Sequence, residues 1–195
     1  MTVLLRARCA VLAVLLILSL PAQAAVLITA IESGSDVILS SVGGTLDLTG
    51  LTFVSTAVGD SGATLDPDSP LVAVGITDNG FDRYSGASGP VAFGSGTTQV
   101  AADSGSGDFF GVSNFTGTLW IGVPTGFASG GTLGAASGTW LNESFASLGM
   151  TPGTYVWSWA NDSITLEVAT VPVPAAAWLF ASGLGVLGWL RRKRS

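Results

Sequence analysis

The sequence predicts a mainly β protein: an antiparallel β-sandwich-like ectodomain followed by a C-terminal transmembrane helix. Three observations carry that reading. Short stretches alternate apolar and polar residues with the two-residue period of a half-buried strand, Gly- and Ser-rich turns separate them, and one long uncharged run lies near the chain end. The ectodomain has no long segment of helical period, and only Asn142 to Leu148 resembles a helical turn.

Residues 1–24 read as a secretory signal peptide. Arg6 and Arg8 form a positive leading region, Ala10 to Leu20 is a short apolar core, and Pro21 breaks it. Ala22 and Ala24 are the small residues that signal peptidase reads, which places cleavage before Ala25. The apolar run is shorter than the roughly 20 residues a bilayer span needs, so a retained anchor is the weaker reading. Cleavage removes Cys9, the only cysteine, and leaves no thiol for disulfides or catalysis.

Residues 25–170 form the predicted ectodomain. Ala25 to Ile31 and Asp36 to Ser41 flank a Ser-Gly-Ser turn and predict a hairpin. Thr45 to Thr49 alternates cleanly, and Leu71 to Thr77, Thr97 to Ala101, Thr118 to Val123 and Gly131 to Leu141 are further strands. Residues 154–168 read as a closing hairpin about Ala160-Asn161-Asp162, with Ile164, Leu166 and Val168 on one face. Gly80 to Gly107, crowded with Gly, Ser and Asp around Arg83 and Tyr84, reads as the loosest part, a long binding loop or a poorly ordered one. No fixed-period repeat is evident, so a β-solenoid is the second choice.

Residues 171–195 begin with Val171-Pro172-Val173-Pro174, continue through an apolar run to Leu190, and end in Arg191, Arg192, Lys193, Arg194 and Ser195. Twenty residues of helix rise about 30 Å, the depth of a hydrocarbon core. The prolines fit a helix start, Trp178 and Trp189 fit the two interfaces, and the basic cluster predicts a cytoplasmic C-terminus. The membrane partner is therefore expected through residues 175–190. A Pro-x-Pro box, one Gly-rich span and an Arg-rich stop, in that order, resemble the PEP-CTERM sorting tail of Gram-negative bacteria. Val173 stands where the family's namesake box has Glu. The resemblance implies recognition by an exosortase, removal of the tail, and passage through the inner membrane to the cell surface or an extracellular polysaccharide matrix. The alternative is an ordinary single-span anchor. Leu148 to Trp159 and the Asp108-Phe-Phe-Gly segment are also similar to ectodomains found in PEP-CTERM proteins, which carry no activity to transfer.

Charge and inventory then narrow the chemistry. The ectodomain has one cation, Arg83, against all 13 carboxylates of the chain, a balance of −12, and such a surface repels phosphate backbones, so no nucleic-acid partner is expected. There is no histidine, and the only lysine lies in the tail. Gly59-Asp60-Ser61-Gly62 matches the string around a serine nucleophile but has no base to serve it, so it reads as a turn. Carboxylates alone remain for catalysis, and spacing selects no glycosidase pair among them. The expectation is a non-enzymatic protein without a required cofactor.

Two weaker sites stay open. Asp66, Asp68, Asp78 and Asp82 supply oxygen ligands for calcium, though neither segment fits the loop that ends in a bidentate glutamate. Tyr155, Trp157 and Trp159 share one strand face and serve either as core, the commoner use, or as a flat platform for an extracellular polysaccharide.

Overall fold

The computed structural model describes residues 25–96, 98–115 and 117–169. The expected signal peptide with Ala22 and Ala24, the expected sorting box Val171 to Pro174, and the apolar run and basic cluster that follow it lie outside these residues. Among the described residues, no helix is long and apolar enough to cross a membrane.

Among the described residues fifteen strands follow one another. They are β1 (Ala25–Ser33), β2 (Asp36–Ser41), β3 (Gly44–Leu46), β4 (Thr52–Ala57), β5 (Ser61–Asp66), β6 (Leu71–Thr77), β7 (Phe81–Ser85) and β8 (Val100–Ala101). Then come β9 (Ser104–Gly107), β10 (Phe110–Phe115), β11 (Thr118–Pro124), β12 (Gly131–Leu133), β13 (Ala136–Trp140), β14 (Gly153–Ser158) and β15 (Ser163–Ala169). One sheet has the order β14-β15-β1-β2-β13-β9, a second has β4-β7-β11-β10-β6-β5-β8, and β12 and β3 form a small third.

The pairs are antiparallel with one exception. β1 and β15 run parallel, from Ala25 beside Ser163 to Ile31 beside Ala169, so the first and last strands of the described residues lie side by side within the sheet. Short turns force antiparallel neighbours. These two strands are joined only through the chain between them, residues 34–162, and are free of that constraint.

Period-two alternation builds the core. Val26, Ile28 and Ala30 of β1 point inward beside Val37 and Leu39 of β2 and Ile164, Leu166 and Val168 of β15. The second sheet answers with Leu65, Val72, Val74, Phe110, Val112, Ile121 and Val123. Each fully buried aliphatic side chain contributes about 1.5–3 kcal/mol, which offsets the conformational entropy of ordering so many short strands.

The two hairpins, Leu71–Thr77 and the strand at Thr118 lie where the alternation placed them. Of the stretch Thr97 to Ala101, Val100 and Ala101 form β8, and Gly131 to Leu141 divides at Gly134-Ala135 into β12 and β13. The Asn142 to Leu148 segment makes one α-type bond, Leu148 N–H to Ser144 O at 3.0 Å, and no helix. Gly59 and Asp60 form the expected bend, while Ser61 and Gly62 already belong to β5.

The largest correction concerns Gly80 to Gly107, whose described residues do not form a single loose loop. It contains β7, β8 and β9, and its middle is a strap across β14. Ser88 exchanges two backbone bonds of 2.8 Å with Ser158, and Ser95 N–H donates to Gly149 O at 2.8 Å. Phe93 is 1% exposed and packs edge-on against Trp157. Glycine here marks close approach: a Cβ at Gly89 would lie 2.5 Å from Trp157 Cδ1.

Candidate functional site: a groove on the outer face of the second sheet

The pleat that sends Ile121, Val123, Val72 and Leu65 inward sends their neighbours outward. Across five strands the outer face carries a row of Arg83, Gly122, Gly111, Ala73 and Thr64, each paired with the next. The middle of that row has almost no side chain, so the backbone itself forms the floor of a trough. Neither glycine is replaceable without movement. A Cβ at Gly111 would lie 2.1 Å from Val72 O, and one at Gly122 would lie 3.3 Å from the Phe81 ring.

Around that floor the walls differ in character. Phe81 leans over Gly122 toward Phe109, with ring centroids 4.6 Å apart, and with Leu71 makes an apolar side. Arg83 places its guanidinium carbon 5.0 Å from the Phe81 ring centre and 5.0 Å from that of Trp120. Trp120 reaches it diagonally, because Gly122 is the residue directly opposite Arg83. Such stacking holds the guanidinium plane while leaving its N–H edge available.

The polar end is a recess of about 290 Å³ lined by Arg83, Trp120, Asp66, Ser69, Gln99, Ser113 and Asn114. It shares Leu71, Phe81 and Gln99 with an adjoining recess of about 320 Å³ that runs toward Asp60 and Thr64. Asp66 Oδ1 and Asn114 Oδ1 are buried and have no hydrogen-bond partner. Buried acceptors without donors are rare enough to mark a place where a donor is wanted.

The aromatic residues singled out on β14 are mostly core. Trp157 is fully buried and donates its indole N–H to Pro90 O at 2.9 Å, and Trp159 is 8% exposed and donates to Asp47 O at 2.7 Å. Only Tyr155 is half-buried, with its hydroxyl donating to Thr151 O at 2.9 Å. Two of the three rings are thus covered and offer no flat face to a sugar.

The four aspartates proposed for calcium are not gathered. Asp66 ends β5, Asp68 lies in the following turn, Asp78 lies in the turn before β7, and Asp82 is buried on the inner side of β7. Asp82 accepts from Thr56 Oγ1 at 2.6 Å and from Gly126 N–H at 2.9 Å, so both of its oxygens are already engaged. Burial of the Tyr84 hydroxyl, followed by the Asp82 charge beside it, raises the tyrosine's pKa above its usual value. Among the described residues no group of three or more His, Cys, Asp or Glu side chains is placed to hold a metal.

Most of the other carboxylates hold the chain together. Glu32 accepts from Phe145 N–H at 2.6 Å, Asp36 from Asn142 at 3.0 Å, Asp103 from Leu141 at 2.8 Å and Asp108 from Gly134 at 2.6 Å. Asp162 accepts from the N–H groups of Asp47 and Ser163. The acidic composition is therefore partly architectural: in a chain of many turns, carboxylates satisfy backbone donors that no ladder reaches. The residues of the groove escaped the sequence reading because β7 was hidden inside the supposed loop. The available signals were the solitary Arg83 and the alternation Phe81-Asp-Arg83.

No known protein family, curated protein or solved structure matches this chain.

Proposed function

We propose that this chain is a non-enzymatic exported protein of the cell surface or extracellular matrix, with the β-rich ectodomain as its working part. In this reading the signal peptide exports it, signal peptidase cleaves before Ala25, and an exosortase reads the box Val171 to Pro174 and releases the tail. The observation that supports the non-enzymatic part best is the use of the carboxylates. In a segment without histidine or lysine they are the acid–base groups left besides Tyr84 and Tyr155, and seven of them accept backbone N–H groups. The terminal motifs support the export and sorting part.

Two epitope tags test the route. One is placed at the exposed Gly34-Ser35 turn, where a Cβ on Gly34 would meet nothing within 4 Å, and the other after Ser195. The first tag at the surface or in the medium without the second supports sorting with tail removal. Both tags together in the membrane support a plain single-span anchor.

The groove favours a second reading, that the ectodomain binds carbohydrate. A trough with an apolar wall, stacked Arg83 and two unpartnered acceptors suits a polyhydroxylated ring better than the covered aromatics of β14 do.

A further inference from the structure

The geometry points to a carboxylated sugar as the occupant of the groove, with Arg83 as the residue that selects it. This inference rests on the carbohydrate-binding reading and goes further by naming the chemical class. Arg83 is the only cation among 13 carboxylates in the ectodomain, yet among the described residues it forms no ion pair. Its charge is instead balanced against the faces of Phe81 and Trp120, which fixes the plane of a group whose N–H fork matches a carboxylate.

A carboxylate alone does not explain the recess. Asp66 and Asn114 both line the same 290 Å³ space, and each keeps one buried Oδ1 without a hydrogen-bond partner, so a ligand that carries O–H groups beside its acid suits this end better than a bare carboxylate. A uronic acid has that combination: a carboxylate for Arg83, hydroxyls for Asp66 and Asn114, and a C–H face for Leu71 and Phe81. A side-chain carboxylate of a peptide lacks the adjacent hydroxyls. The −12 of the ectodomain opposes a polyanion at long range, but screening within about 8 Å at physiological salt leaves contact recognition to decide.

The test uses the detergent-solubilised full chain and oligomers of galacturonate, glucuronate and mannuronate, each offered as free acid and as neutral methyl ester. At 0.15 M salt, at least one free acid should bind about tenfold or more tightly than its ester, the range of a charge-assisted hydrogen bond. Arg83→Gln should abolish that preference, and Arg83→Lys should restore only part of it. Ser113→Leu, which fills the recess from β10 and leaves Arg83 in place, should abolish binding of acid and ester alike. It keeps the test open if the Arg83 variants fail to fold.

Equal binding of acid and ester, lost in Ser113→Leu, would overturn the acid selectivity while leaving a carbohydrate groove. Binding of no acid or ester would overturn both. Preferential binding of an acidic peptide over every sugar acid would also overturn the proposal.

Discussion

Asp162 Oδ2 accepts the backbone N–H of Asp47 at 2.8 Å, joining the turn of the last hairpin to the segment after β3 across 115 positions of sequence. Asp162 is 2% exposed, and its other oxygen accepts Ser163 N–H at 2.7 Å. Trp159 completes the clasp by donating to Asp47 O. Replacing Asp162 by Ala strands two donors in a dry place. The expected loss is about 1–3 kcal/mol for each donor left unpaired, with Asp162→Asn losing less, as read from urea unfolding.

Asp47 lies on the solvent side of the same clasp. Hydrogen bonds from the side chain and then the backbone N–H of Thr49, followed by Ser129, lower its pKa from 3.8 to about 2. A carboxyl group depressed by folding adds stability above its unfolded pKa and loses it as pH falls through the folded value. The urea midpoint should therefore decline between about pH 4 and pH 2, and Asp47→Asn should flatten that part of the curve. An unchanged slope in Asp47→Asn would remove Asp47 from the acid response.

Trp157 tests the distinction between core and platform. Its ring is fully buried between the Phe93 strap and the sheet. Trp157→Ala should cost about 3–5 kcal/mol of unfolding free energy. Phe93→Ala should act at the same place, and a double-mutant cycle should show the two losses to be non-additive. A Trp157→Ala variant with unchanged stability and lost glycan retention would return the platform reading to favour.

Calcium should not stabilise the fold specifically. The Asp82 oxygens are occupied by Thr56 and Gly126, and Asp66, Asp68 and Asp78 do not join it in one cluster. Melting temperatures in chelator and in millimolar calcium should agree once ionic strength is matched. A rise with calcium alone would require a site, since a ligand bound only by the folded state must stabilise it.

How far the sequence was legible depended on how far each element obeyed a local rule. Val26, Ile28 and Ala30, or Ile164, Leu166 and Val168, alternate without interruption, and their strands were readable to within a residue or two. β9 is Ser-Gly-Ser-Gly and β4 exposes Phe53 and Val54, so neither shows an apolar face; their pairing comes from β13 and β7. Arg83 was visible as the lone cation. Its position beside Gly122 and between Phe81 and Trp120 depends on the register of β7 on β11, which no local pattern encodes. The burial of Trp157 depends likewise on a strap whose Gly and Ser content reads as looseness and whose glycines instead permit contact.

In the proposed function the working form is residues 25 to about 170 alone, freed of both terminal addresses outside the cell. The most direct measurement is the intact mass of the protein recovered from the surface or medium of its own host. One species that begins at Ala25 and ends near Val171 to Pro174 is expected. A species that retains Trp178 to Ser195 and is recovered only with the membrane would contradict it.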